Sequence, residues 1–214
     1  MTDYNKIYST HKAVFGEKPE KILVDFYKKI DNSSPVLDIG AGQGRNSIFL
    51  AENGFGVEAV EPSENGLKQI ELIAEKNSLP IFLTQGDIFS FEQKVDYYSA
   101  VLLFGLLQIL TREQITQLIA SMYDWVAEES LVFITTFSNE DPNFASHKEN
   151  DTEIGKNSFQ DSTGMVRTYF EPNEILELFP DYKVLHHKEF ITAMHQHGDS
   201  AEHQHAMIEV VFEV

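Results

Sequence analysis

The sequence predicts an α/β fold built on a doubly wound parallel sheet, and three observations carry that prediction. Short apolar runs alternate along the chain with stretches of helical periodicity, as strands covered by helices do. The first run ends in an acid and then three glycines at alternate positions, VLDIGAGQGR over residues 36–45, where an open α/β sheet makes its ligand crevice. A later run, residues 96–104, is apolar throughout its second half and has the character of a parallel strand buried on both faces.

Taken in order, residues 19–30 put Ile22, Leu23, Phe26, Tyr27 and Ile30 on one helical face. An amphipathic helix therefore closes an N-terminal helical segment over residues 1–34. Val36, Leu37 and Ile39 form the first strand and deliver Asp38 to the carboxyl edge of the sheet. Gly40, Gly42 and Gly44 then allow positive φ and close backbone approach to a nucleotide-like ligand. The second strand, residues 57–60, ends at Glu61, placed to accept hydrogen bonds from the two ribose hydroxyls of an adenosine. Ser63 is an N-cap for a helix that turns Leu67, Ile70 and Ile73 to the sheet. Residues 81–83 form a third strand, and Gly86, Asp87 and Ile88 follow it, so that a carboxylate can meet an adenine amino group. Three strand ends thus carry three acids.

Residues 96–104 are the fourth strand. Thr111, Arg112, Glu113 and Gln114 cap a helix running through Ile115, Leu118, Ile119 and Met122, and residues 130–137 return as a strand. The periodicity then breaks. Residues 138–165 are polar and aperiodic, and are expected to be a long loop or lid leaving a strand end beside the ligand. A short helix at 172–179 and strands at 182–191 and 206–214 close a single domain, 1–214.

Composition bounds the function. The chain has 214 residues, 42% of them hydrophobic, no cysteine and a formal charge of −18. The missing thiols exclude disulfides, thiolate metal sites and cysteine nucleophiles. The acidity, with no block of Lys or Arg, argues against a nucleic-acid partner and for a small-molecule substrate. No run approaches the roughly 18 apolar residues a membrane span needs, and residues 1–12 are polar rather than signal-like. A cytoplasmic protein is expected; no pattern encodes its oligomeric state.

Asp38-Ile39-Gly40-Ala41-Gly42-Gln43-Gly44, Glu61 and Asp87-Ile88, in that order and at those separations, resemble the motif series of class I S-adenosylmethionine-dependent methyltransferases. The resemblance covers residues 36–137 and weakens toward the C-terminus. Gly44-Arg45-Asn46-Ser47, followed by Leu50-Ala51-Glu52-Asn53-Gly54-Phe55, is similar to the tellurite-resistance methyltransferases and their relatives. The resemblance implies a mostly parallel seven-stranded sheet whose last two strands form a hairpin with an antiparallel final strand. It implies S-adenosyl-L-methionine as cofactor, held by Asp38, Gly40, Ala41, Gly42, Gly44, Arg45, Asn46, Glu61, Pro62, Asp87, Ile88, Phe104 and Gln108. It also implies methyl transfer to a small acceptor, with a chalcogen oxyanion such as tellurite or selenite as one candidate. A nicotinamide-dependent oxidoreductase is the weaker enzyme reading, because the third glycine comes one residue early for G-x-G-x-x-G and Asp38 stands where that motif has an apolar residue. A binding or sensing module that had lost catalysis would carry the same donor motifs.

The acceptor side is less determined. Many relatives have a histidine where Gln108 stands, and glutamine cannot take a proton at neutral pH. Six of the eight histidines occur from His186 onward. His195 and His197, like His203 and His205, are two apart and point to one side of an extended segment. A hairpin between them could form a transition-metal site or offer donors to an anionic substrate. The spacing matches no strong metal motif, and no metal ligand is assigned. His195, His203 and His205 are the candidate bases for an amine or hydroxyl acceptor. Arg167 is either a clamp for an acceptor oxyanion or an ordinary ion-pair partner.

Overall fold

The computed structural model describes residues 4–91, 94–196 and 202–214. Its centre is a seven-stranded sheet of β1 (Val36–Ile39), β2 (Val57–Glu61), β3 (Ile81–Gln85), β4 (Tyr98–Phe104), β5 (Val126–Phe137), and the C-terminal pair β9 (Lys183–Ile191) and β10 (Ala206–Glu213). The strand order is β3-β2-β1-β4-β5-β10-β9. The first five strands are mutually parallel, whereas β10 runs antiparallel to both β5 and β9. The expected doubly wound, mostly parallel seven-stranded sheet with an antiparallel last strand is what the chain adopts. The order in which strands are added reverses between β1 and β4, and the ligand crevice of such a sheet opens at that switch point.

Neighbouring strand residues face opposite cores. Leu37, Val101 and Leu103 pack with Trp125, Ile175 and Phe212 on one face; Val36, Leu102 and Phe133 pack with Leu23, Leu50 and Val211 on the other. Every residue of β1 and β2 is buried, as parallel strands covered on both faces must be. The covering helices are α2 (Lys21–Phe26), α3 (Arg45–Glu52), α4 (Glu64–Asn77) and α5 (Arg112–Trp125). Ser63 caps α4 by accepting from the Gly66 N–H at 3.1 Å, and Thr111 and Gln114 form a reciprocal capping box on α5.

The structure departs from the sequence reading in three places. The predicted 19–30 helix is only α2, followed by a single 3-10 turn, Tyr27–Lys29. On α4 the buried face runs Leu67, Ile70 and Ala74, while Ile73 is exposed. The largest difference lies in the expected loop. It holds α6 (Phe144–Asn150) and, with residues just beyond it, a three-stranded antiparallel sheet of β6 (Thr152–Gly155), β7 (Ser158–Gln160) and β8 (Val166–Thr168). The small core that orders this polar stretch is aromatic, with Phe159 and Tyr169 buried against Phe137 and Phe144. Arg112 fastens it to the main body, donating to the carbonyls of Lys156 and Tyr169, each at 2.7 Å, and to Glu174 at 2.9 Å. Glu174 opens α7 (Glu174–Glu177), the counterpart of the predicted 172–179 helix.

Within the expected N-terminal helical segment a first helix, α1 (Tyr4–Thr10), lies ahead of α2. It crosses the glycine turn, and its place there is fixed by the site described next.

Candidate active site

The glycine turn leaves β1 at the switch point and enters α3. Gly40, Gly42 and Gly44 all have positive φ. Gly44 is the most constrained: at φ +82 a Cβ would lie 2.5 Å from Ile70 Cγ1 of α4. The turn also depends on a glycine that the motif does not contain. A Cβ on Gly66 would stand 2.5 Å from the carbonyl oxygen of Gly42, so Gly66 lets α4 pack directly on the turn.

The three acids differ in role. Asp38 is 2% exposed and accepts from Ser47 Oγ at 2.6 Å. Burial pushes its carboxyl up to about 6, against the opposing influence of the Ser47 hydrogen bond. Glu61 is also buried, and burial raises its pKa. Its two oxygens accept from the backbone N–H groups of Gly42 and Ser63, each at 2.9 Å. Glu61 therefore braces the turn, with a second lone pair on each oxygen not used by these bonds. Asp87 is exposed, with Oδ1 accepting from the Phe89 N–H at 2.9 Å.

Arg45 and Asn46 hold the preceding chain. Arg45 pairs with Glu20 and donates to the Lys18 carbonyl at 3.2 Å; Asn46 Oδ1 accepts from the Glu20 N–H at 2.9 Å. That chain continues as a strap over the turn. Asn5 Oδ1 accepts from Ser63 Oγ at 3.0 Å and from the Asn65 N–H at 2.9 Å. Gln69 donates to the Tyr8 carbonyl and Gln43 to the His11 carbonyl, both at 2.7 Å. Tyr8 is 5% exposed, and its hydroxyl would lie 3.1 Å from a Cβ on Gly42. Polar residues at 1–12 gave no sign of this in the sequence beyond their absence of signal character.

One cleft of about 2240 Å³ connects these groups. Every donor-site residue expected from the sequence lines it except Gly44, which is packed behind against Ile70. Pro62 and Ile88 border it, as do Phe104 at the end of β4 and Gln108 in the following 3-10 turn. Gln108 Oε1 is buried and has no hydrogen-bond partner, an acceptor that a ligand N–H or O–H can satisfy.

The same cleft reaches Arg167, His195, His203 and His205. Arg167, on β8, donates to the Val166 carbonyl at 2.9 Å and forms no ion pair among the described residues. Past β9 and β10 the two chains stay paired, so His195 faces His203 across the hairpin. His205 Nδ1 lies 2.8 Å from Asp141 Oδ2, and its ring stacks on Phe137 with centroids 4.5 Å apart. Burial alone would raise the Asp141 carboxyl. Hydrogen bonds from His205 and from the Asn143 and Ala206 N–H groups outweigh it and hold the carboxyl below the ordinary range. Asp141 was hidden in the aperiodic stretch, one acid among many. His197 falls outside the described residues.

A glycine turn at the switch point, acids at successive strand ends and an antiparallel last strand define the class I methyltransferase fold. The chain belongs to the family described as Tellurite resistance protein TehB, whose profile matches residues 21–206. A probable S-adenosyl-L-methionine-dependent methyltransferase TehB of Haemophilus influenzae is 31% identical over 121 residues, 56% of this chain and 39% of that protein. The crystal structure of TehB from Haemophilus influenzae superposes with a TM-score of 0.71 at 20% identity, over 98% of this chain and 66% of the other. A 1,6-didemethyltoxoflavin-N1-methyltransferase of Burkholderia thailandensis, solved with bound 1,6-didemethyltoxoflavin and S-adenosylhomocysteine, shares the fold with a TM-score of 0.62 at 13% identity, over 99% of this chain and 78% of the other. The chain thus spans about two fifths of the length of that first relative and about two thirds of the TehB crystal chain.

Proposed function

We propose that the chain binds S-adenosylmethionine beneath the glycine turn and transfers its methyl group to a small acceptor at the Arg167 and histidine end of the cleft. We place the reaction in the cytoplasm; among the described residues no helix is long and apolar enough to cross a membrane. The observation that carries the reading is the single cleft, which joins a nucleoside-type turn to a cluster of cationic and imidazole groups in a strongly acidic chain. Family membership supports the donor. The neutral carboxamide of Gln108 and the carboxylates of Asp38 and Glu61 suit a ligand with hydrogen-bond donors and positive charge.

Bound there, S-adenosylmethionine supplies a methyl group activated by its sulfonium. The chain's own contribution is positioning and exclusion of water: the strap and Tyr8 cover the donor end, and Phe137 and Tyr169 wall the acceptor end. Gln108 cannot act as a base, so an acceptor that is already anionic and soft fits best. Arg167 holds such an anion by its guanidinium fork. Tellurite and selenite are acceptors of this kind, and the family description agrees with them.

Calorimetry with S-adenosylmethionine, S-adenosylhomocysteine and nicotinamide dinucleotides tests the donor, and mass spectrometry of methylated products tests the acceptor, in the headspace for simple thiols and in solution for tellurite and selenite, whose methylated oxyanions are not volatile. Micromolar binding of the sulfur ligands, weakened at least tenfold by Glu61→Ala, with methylated product, supports the proposal. Donor binding without product from any acceptor points instead to a sensing module, and tighter dinucleotide binding overturns the reading.

A further inference from the structure

The three histidines at the hairpin converge. One imidazole nitrogen from each of His195, His203 and His205 lies within 4.8 Å of the others, and their ring centroids are 4.7 to 5.6 Å apart. The backbone that carries them is fixed. His195 and His203 exchange reciprocal N–H to carbonyl hydrogen bonds, both 2.8 Å. The His205 carbonyl accepts from the Thr192 N–H at 2.8 Å, and its own N–H donates to Thr192 Oγ1 at 2.9 Å. The ladder of β9 and β10 therefore continues into the cluster.

Two rings are also set in one tautomer. His205 Nδ1 meets the Asp141 carboxylate at 2.8 Å, and Asp141 has a wholly buried side chain that also accepts from the N–H groups of Asn143 and Ala206. His195 Nδ1 meets the Ala193 carbonyl at 2.9 Å. A carbonyl and a carboxylate only accept, so Nδ1 is the donor in both rings and Nε2 is the nitrogen left to ligate. A ligating histidine is arranged in this way, with its other nitrogen donated to a carboxylate or a backbone carbonyl.

We propose that His195, His203 and His205 form a divalent transition-metal site of the zinc class at the acceptor end of the cleft. Three neutral imidazoles are the donor set that holds zinc while leaving a fourth position open, and all three line the cleft. Nitrogens around tetrahedral zinc lie roughly 3.4 Å apart, so small ring rotations close the set. An acceptor heteroatom would take the open position, where the metal would lower the pKa of a protonated acceptor and let its proton pass to solvent, a role that Gln108 cannot fill as a base. That last step rests on the methyltransferase reading; the metal site does not.

The test is titration of the untagged, chelator-stripped chain with zinc by calorimetry and with cobalt by visible absorption. S-adenosylhomocysteine binding and the circular dichroism melt are measured on the same samples. One equivalent should bind at micromolar affinity or tighter, with a cobalt d–d band. Binding should weaken at least tenfold in His195→Ala, His203→Ala and His205→Ala, and roughly 10–100-fold in Asp141→Asn. His186→Gln, on β9 and paired with Glu209, should leave it unchanged. If an alanine variant melts early, His203→Gln keeps the ring's bulk and replaces it. No binding below millimolar metal, unchanged affinity in the His203 variants, or equal loss in His186→Gln overturns the site. Metal binding without S-adenosylhomocysteine binding would instead sink the donor reading and leave the site standing.

Discussion

Asp38 is a carboxyl group that the fold has taken out of water, and its protonation links stability to pH. Its pKa rises from 3.8 to about 6 on folding, chiefly through burial, so between those values the native state binds more protons than the unfolded chain. Its contribution is fully present below about pH 4 and is lost as pH rises through 6, a loss of roughly 3 kcal/mol. Urea unfolding of the wild type and Asp38→Asn at pH 4 and pH 7 should show the variant gaining by about that amount across the interval. A cationic donor favours the ionised carboxylate, so donor affinity should also rise from pH 5 to pH 7 in the wild type and stay flat in Asp38→Asn. The position of this acid was legible from the strand that carries it. Its pairing with Ser47, in the first turn of α3, was not, because nothing in the local pattern ties a serine after the glycine turn to the acid before it.

At the scale of elements, the strap α1 and the contact between α4 and the glycine turn are what the proposed donor site depends on. Removing residues 1–13 strips the hydrogen bonds from Asn5, Tyr8 and His11 but none of the sheet. The truncated chain should keep its circular dichroism spectrum while calorimetry reads a donor affinity at least tenfold weaker. An unchanged affinity would reduce the strap to a surface ornament. Gly66→Ala brings a Cβ against the Gly42 carbonyl, a backbone atom that cannot rotate away. It should lower stability by about 1–3 kcal/mol, seen as a lower urea midpoint. The strands, α4 and α5 could be read because periodicity and caps report local burial. The docking of the strap could not: a seven-residue helix with one buried residue owes its place to hydrogen bonds with residues about sixty positions away. Residues 138–165 were opaque for a similar reason, since their order rests on a few aromatic side chains and on Arg112.

Across the whole molecule, Arg112 ties the small sheet to the body through three hydrogen bonds and the face of Phe170, 4.6 Å away. Arg112→Ala leaves Glu174 and two carbonyls without that donor. It should cost about 2 kcal/mol or more and open residues 139–168 to limited proteolysis before the body unfolds. The net charge of −18 makes a different prediction for the proposed oxyanion acceptors. The chain's field repels them, and salt screens that field within about 10 Å at 0.1 M. The KM for tellurite or selenite should therefore fall as ionic strength rises from low values, the reverse of a steered encounter.

The strap and the hairpin guard opposite ends of the cleft, one over the glycine turn and the other beside Arg167. Two ligands would then have separate doors. The acceptor could come and go past the histidines while the nucleoside stayed shut in, so exchange of spent donor, timed by the lifting of a seven-residue helix, would set the pace of turnover. Solvent viscosity would then slow the steady state while leaving a first burst of product untouched.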